Sequence, residues 1–229
     1  PEKDAIKELE LGYADFGVAS ADQVIRALDK GADVVVLAQI FQTNPMQWIY
    51  RDDQIQINRL SDLQGCRMGI TYGGNDETIM KTVLAKAGLT LRDVQVTGVR
   101  FDFTPFLKNQ VTLWPVYRNS QGVILAEQLA REGESVRFFN PAEFGVNFVA
   151  NSVVTSGKMA ADHPDRVRQF LSALLDAWEA AMDPANQEQV LAAVKKYDKG
   201  TQGEVQKAQL DATRDLVKPR PDTAVGRIR

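Results

Sequence analysis

Reactive side chains are scarce in this sequence. Its 229 residues hold one cysteine, Cys66, and one histidine, His163. A lone cysteine excludes an internal disulfide and any site built from several thiolates, and it fits reducing and oxidising compartments alike. A lone histidine excludes a zinc site of several imidazoles, and a Ser-His or Cys-His nucleophile would have to use His163 itself. No apolar run approaches the roughly 18 residues that a membrane span needs. No signal peptide opens the chain at Pro1, as would also be true of a processed chain. The net charge of −3 provides no field to draw in nucleic acid or an anionic membrane. HExxH, paired-carboxylate, GxxxxGK[ST] and GxGxxG patterns are all missing.

What is there is an ordinary globular composition, 44% hydrophobic and 25% charged, long enough for one large core or two modest ones. Strand and helix signals alternate along the first two thirds. A helix is predicted over 4–11, ending at Gly12, then a strand over 13–19 and a helix from the Ser20 cap to Lys30. The run Val34-Val-Val-Leu37 reads as a strand buried on both faces, the pattern of parallel sheets. Strands follow over 46–51, 67–72, 94–99, 111–117, 136–139 and 148–155, with helices over 76–87, 103–108 and 120–132. From Pro164 only helices are expected, over 164–182, 186–197 and 203–216, with coil over 218–222. This order predicts an α/β protein with parallel-rich mixed sheets and a helical C-terminal segment. The chain is expected to cross between lobes near Gly65 and Asn147, making 1–65 plus 148–229 lobe I and 66–147 lobe II.

Four stretches sit at strand ends, where α/β proteins build ligand crevices. Trp114-Pro-Val-Tyr117, followed by Arg118 and Asn119, offers two aromatic faces, a guanidinium and an amide. Pro115 keeps this stretch out of a regular central strand. Tyr72 precedes Gly73, Gly74 and Asn75, a turn whose N–H groups could meet an anion or a carbonyl. Gln42, Thr43 and Asn44 follow the buried strand, and Ser20 follows the first. Catalytic candidates are poor: Cys66 has no nearby histidine, His163 opens a helix, and Glu77, Asp102, Glu127 and Glu143 are scattered.

Several motifs, taken in order, resemble one family. They are Asp4-Ala-Ile-Lys-Glu-Leu9, Gly12-Tyr-Ala-Asp-Phe-Gly-Val18, Leu60-Ser-Asp-Leu-Gln-Gly65 with Arg67-Met-Gly-Ile70, and Ala87-Gly-Leu89 with Asp93-Val94. Gln110-Val-Thr-Leu-Trp-Pro115, Phe144-Gly-Val146 and His163-Pro-Asp-Arg-Val167, with Ala173 and Trp178, complete the series. In this order they resemble the periplasmic solute-binding proteins of ABC importers for sulfonates, nitrate and thiamine pyrimidine precursors, and the related fungal pyrimidine synthases.

The resemblance implies a type II periplasmic-binding-protein fold, two lobes closing about a hinge, with the Ser20, Gln42–Asn44, Gly73–Asn75 and Trp114–Asn119 loops at the cleft. It implies a small-molecule ligand, an importer permease as partner, an extracytoplasmic location with a membrane tether outside this chain as an option, and no cofactor, metal or catalytic residue. A planar heteroaromatic such as a pyrimidine would stack on Trp114, Tyr117 and Tyr72 and be anchored by Arg118 and Asn75. A sulfonate or nitrate would use Arg118 and the Gly73-Gly74 amides. A sensory module of a membrane signalling protein is the alternative outside transport. Three departures stand out. The family's first strand and helix precede the match, which would leave an edge of lobe I open. Thr112 stands where the family usually has an acid. Cys66 and His163 match neither the cysteine-rich motif and histidine of the synthases nor the cysteine of a related desulfinase branch.

Overall fold

Adjacent residues on the central strands face opposite ways, and both faces are covered. That accounts for the unbroken apolar runs in the sequence. The computed structural model describes residues 4–100 and 102–228, so residues 1–3 and 229 of the expected lobe I lie outside it. Its internal packing divides the chain into two units, Pro1–Asn44 with Val149–Arg229, and Pro45–Phe148.

In unit 1, Asp4 caps α1 (Ala5–Glu10), its carboxylate accepting from the N–H groups of Ile6 and Lys7 at 3.1 and 3.3 Å. β1 is shorter than expected, Gly17–Ala19, and Tyr13 is exposed. Helix α2 (Ala21–Asp29) follows Ser20, and β2 spans Val34–Phe41. The chain returns as β8 (Ala150–Ser156), which lies between β1 and β2 and runs antiparallel to both. Val154 packs on one face with Ile6, Leu9 and Val24 of α1 and α2. Val153 packs on the other with Met182, Leu216 and Val217, where Phe170, Leu174 and Trp178 also gather. These residues come from α7 (Pro164–Met182) and α9 (Gly203–Val217). α8 (Gln187–Tyr197) lies between them in sequence. α6 (Gly157–Asp162), which the periodicity does not show, starts at Ser156, whose hydroxyl accepts from the Met159 N–H at 3.0 Å.

In unit 2, β3 (Met46–Arg51) is flanked antiparallel by β6 (Trp114–Tyr117) and β7 (Val136–Phe139). β4 (Arg67–Ile70) and β5 (Gln95–Gly98) form a parallel pair. The N–H of Gly69 donates to Leu113 O at 2.9 Å, joining β4 to the approach to β6. Trp48 packs with Met68, Ile79 and Leu84, on the side of α3 (Asn75–Lys86). Its neighbour Ile49 packs with Phe106, Trp114 and Leu125, on the side of α4 (Thr104–Leu107) and α5 (Gln121–Arg131).

Three expectations are corrected. The sheets are not parallel-rich: β4–β5 and a single bridge at Met68–Leu113 are parallel among the described residues, and the other ladders are antiparallel. Nor is the Val34–Leu37 run of β2 buried on both faces: Val34 is buried, Val36 and Leu37 are half-buried and Val35 is exposed, because β2 is at the edge of its sheet. The first crossing falls between Asn44 and Pro45 rather than near Gly65, because β3 ladders with β6 and β7 instead of with β2. The second falls between Phe148 and Val149.

Candidate functional site

Because β4 and β5 are parallel, their C-terminal ends open on the same side. There unit 2 holds a depression of about 400 Å³, within the range of small-ligand sites. Thr71 and Tyr72, just after β4, form one wall, and Gly98, Val99 and Arg100, at the end of β5, form another. Asp102, Pro105 and Trp114 complete it. Tyr72 presents its ring, 66% exposed, while Trp114 is 1% exposed and contributes only an edge of the floor. Gly98 makes room for that ring: a Cβ there would lie 3.0 Å from Tyr72 Cε2.

The turn from β4 into α3 is held by carboxylates of its own helix. Asp76 is buried, and its Oδ2 accepts from the Thr71 N–H at 2.6 Å. Glu77 Oε2 accepts from the Gly73 N–H at 2.7 Å while Oε1 pairs with Lys81 Nζ at 2.7 Å. The Gly74 N–H donates to Thr71 O at 2.8 Å. Burial pushes the Asp76 carboxyl above the usual carboxylate range, against the opposing pull of the Thr71 bonds. Glu77 is held below it by Lys81 and then by the Gly73 N–H. Asp102 is also held low, by the hydroxyl and N–H of Thr104.

The structure brings Tyr72 and Trp114 together at the depression and places Gly73, Gly74 and Asn75 beside it. It does not bring the rest of the Trp114–Asn119 stretch there. Tyr117 is exposed and its N–H donates to Gln121 Oε1 at 3.2 Å. Arg118 lays its guanidinium over Phe138, 4.4 Å from the ring centre, and its N–H donates to Pro45 O. Asn119 follows in the turn before α5. In unit 1, Gln23 accepts from the Ser20 N–H at 3.0 Å, and the Ser20 hydroxyl donates to Asp22 at 2.5 Å. Gln42 Nε2 donates to the carbonyls of Gln39 and Arg227, and the Thr43 N–H to Leu216 O. Asn44 is buried and donates to Val149 O at 3.3 Å.

Sequence reasoning missed Thr71, Gly98, Val99, Arg100 and Pro105, and it left Asp102 as a scattered acid. The strand-end rule applied at β5, as it was at β4 and β6, finds all but Thr71. Cys66 is buried and its thiol donates to Asp62 O at 3.3 Å. Burial and then Asp62 push that thiol up, away from thiolate chemistry. His163 is exposed between α6 and α7. Among the described residues no group of His, Cys, Asp or Glu could hold a metal ion, and no helix is long and apolar enough to cross a membrane.

The periplasmic aliphatic sulphonate binding protein SsuA of Escherichia coli superposes with a TM-score of 0.74 at 20% identity, over 90% of this chain and 65% of that one. The alkanesulfonate-binding protein SsuA of Xanthomonas axonopodis pv. citri, solved with MOPS, gives 0.68 at 20% identity, over 98% and 72%. A Haemophilus influenzae protein named for thiamine biosynthesis is 24% identical over 165 residues, 71% of this chain and 51% of that protein. The chain therefore spans about half the length of that curated relative. The fold is that of type II periplasmic solute-binding proteins. A family model described as NMT1/THI5 like matches residues 1–188, and the chain belongs to that family.

Proposed function

We propose that this chain binds a small molecule at the ends of β4 and β5 and delivers it to an ABC importer outside the cytoplasm. The observation that carries the reading is the depression, where an exposed aromatic ring and two opposite charges, Arg100 and Asp102, surround a ligand-sized space. The fold shared with solute-binding proteins supports capture over catalysis. So does the state of the one cysteine, since Cys66 is buried and that burial pushes its thiol up, away from thiolate chemistry. The importer permease, the extracytoplasmic location and a planar heteroaromatic ligand belong to this proposal. Tyr72 stacks the ring, with Trp114 beneath it.

A thermal-shift screen with pyrimidines, alkanesulfonates and nitrate tests the reading. A ligand at about 100 times its Kd adds about 2.7 kcal/mol of stability. We expect at least one compound to raise the melting temperature and Tyr72→Ala to abolish that rise. No shift with any compound, or a shift that survives Tyr72→Ala, would overturn the site.

A further inference from the structure

A turn from a parallel strand into a helix ordinarily offers free N–H groups and the positive end of the helix to an anion. Here three of the N–H groups in the turn before the helix are already taken by the chain itself. Asp76 occupies the Thr71 N–H, Glu77 occupies the Gly73 N–H, and Thr71 O occupies the Gly74 N–H. Glu77 is placed as a bound anion would be, with one carboxylate oxygen on a backbone N–H and the other on the Lys81 ammonium, each at 2.7 Å. Arg100 is the cation among the lining residues, and Asp102 in the same lining carries the opposite charge. A sulfonate or carboxylate brought to the Tyr72 side would have to displace a carboxylate or lie beside one.

We propose that Glu77 is a resident anion that makes the depression select neutral and cationic ligands over oxyanions. The proposal rests on the ligand site at β4 and β5 and assigns its specificity. The occupied amides are not offered to an oxyanion, and the Glu77 carboxylate, outside the lining but bonded to the residue after Tyr72, adds like-charge repulsion. A neutral or cationic ring meets neither cost, and it keeps the Tyr72 face for stacking or cation–π contact.

Three phenyl compounds of similar size and different charge test this: benzenesulfonate, benzamide and benzamidinium, titrated calorimetrically into the full chain. We expect benzamide and benzamidinium to bind at least about tenfold tighter than benzenesulfonate. Glu77→Ala frees both the Gly73 N–H and the Lys81 ammonium, so benzenesulfonate should gain about tenfold or more in affinity. Glu77→Gln keeps an acceptor on the Gly73 N–H and removes only the charge, so its gain should be smaller. Benzenesulfonate binding the wild type as tightly as benzamide, or gaining nothing in Glu77→Ala, overturns the inference and leaves the ligand site standing. Binding of none of the three, by wild type and variants alike, overturns the ligand site and the inference with it.

Discussion

The two units treat the polar and aromatic residues at their strand ends differently. In unit 1, Ser20, Gln42 and Asn44 commit their side chains to neighbouring groups: the Asp22 carboxylate, the Gln39 and Arg227 carbonyls, and the Val149 carbonyl. In unit 2, Tyr72 and Arg100 line an open depression, beside Asp102, whose carboxylate is held by Thr104. A strand-end position is therefore not enough to mark a ligand contact. What separates the two is whether the side chain's hydrogen bonds or apolar area are already committed within the fold. The same contrast appears inside unit 2 between two aromatics of one depression. Trp114 is a core residue that reaches the floor, and Tyr72 is a surface ring with space in front of it.

The contrast can be broken in four places, the largest effect first. Trp114→Ala removes a ring packed against Phe103 and Phe106 and should cost about 3–5 kcal/mol in denaturant unfolding. A cost below about 1 kcal/mol would move Trp114 out of the core. Gly74→Ala would put a Cβ 2.5 Å from Asp76 Oδ1 and 2.8 Å from Thr71 O. It should cost about 1–3 kcal/mol and weaken any ligand held by Tyr72. Full stability with full affinity would show that the turn is slack.

Asp76→Asn tests the buried carboxyl through pH. Because burial raises its folded pKa, its contribution is fully present below the usual carboxylate range and is lost as pH rises through the raised value. The variant cannot ionise, and its amide oxygen can still accept from Thr71. Its stability relative to wild type should therefore climb as pH rises from that range. A difference that is flat, or that grows as pH falls, contradicts the assignment. Tyr72→Ala should move stability by less than about 0.5 kcal/mol, which makes it the clean probe of binding.

Much of this was legible in the sequence. Asp4 and Ser20 before helices, and Gly12, Gly88 and Gly133 after them, mark boundaries that the structure keeps to within a residue or two. Local chemistry dictates those ends. Strand direction was not legible, because an apolar run such as Val34–Leu37 says nothing of its neighbour's orientation. The missing helix α6 is six residues long and set by Ser156, too brief for a period to show. At the site, Tyr72 and Trp114 were readable as aromatics at strand ends. That Trp114 is interior and Arg118 is stacked on Phe138 depends on residues distant in sequence. The occupation of the Gly73 amide by Glu77 is local, four residues apart across the start of the helix. It could have been foreseen from an acid at that spacing.

The central claim is that the depression at the ends of β4 and β5 is where this chain holds its ligand. Calorimetric titration of benzamide into wild type and Tyr72→Ala tests it most directly, with melting temperatures measured alongside. The account predicts an affinity loss of more than about tenfold at unchanged melting temperature. Equal affinity in the two proteins would contradict it.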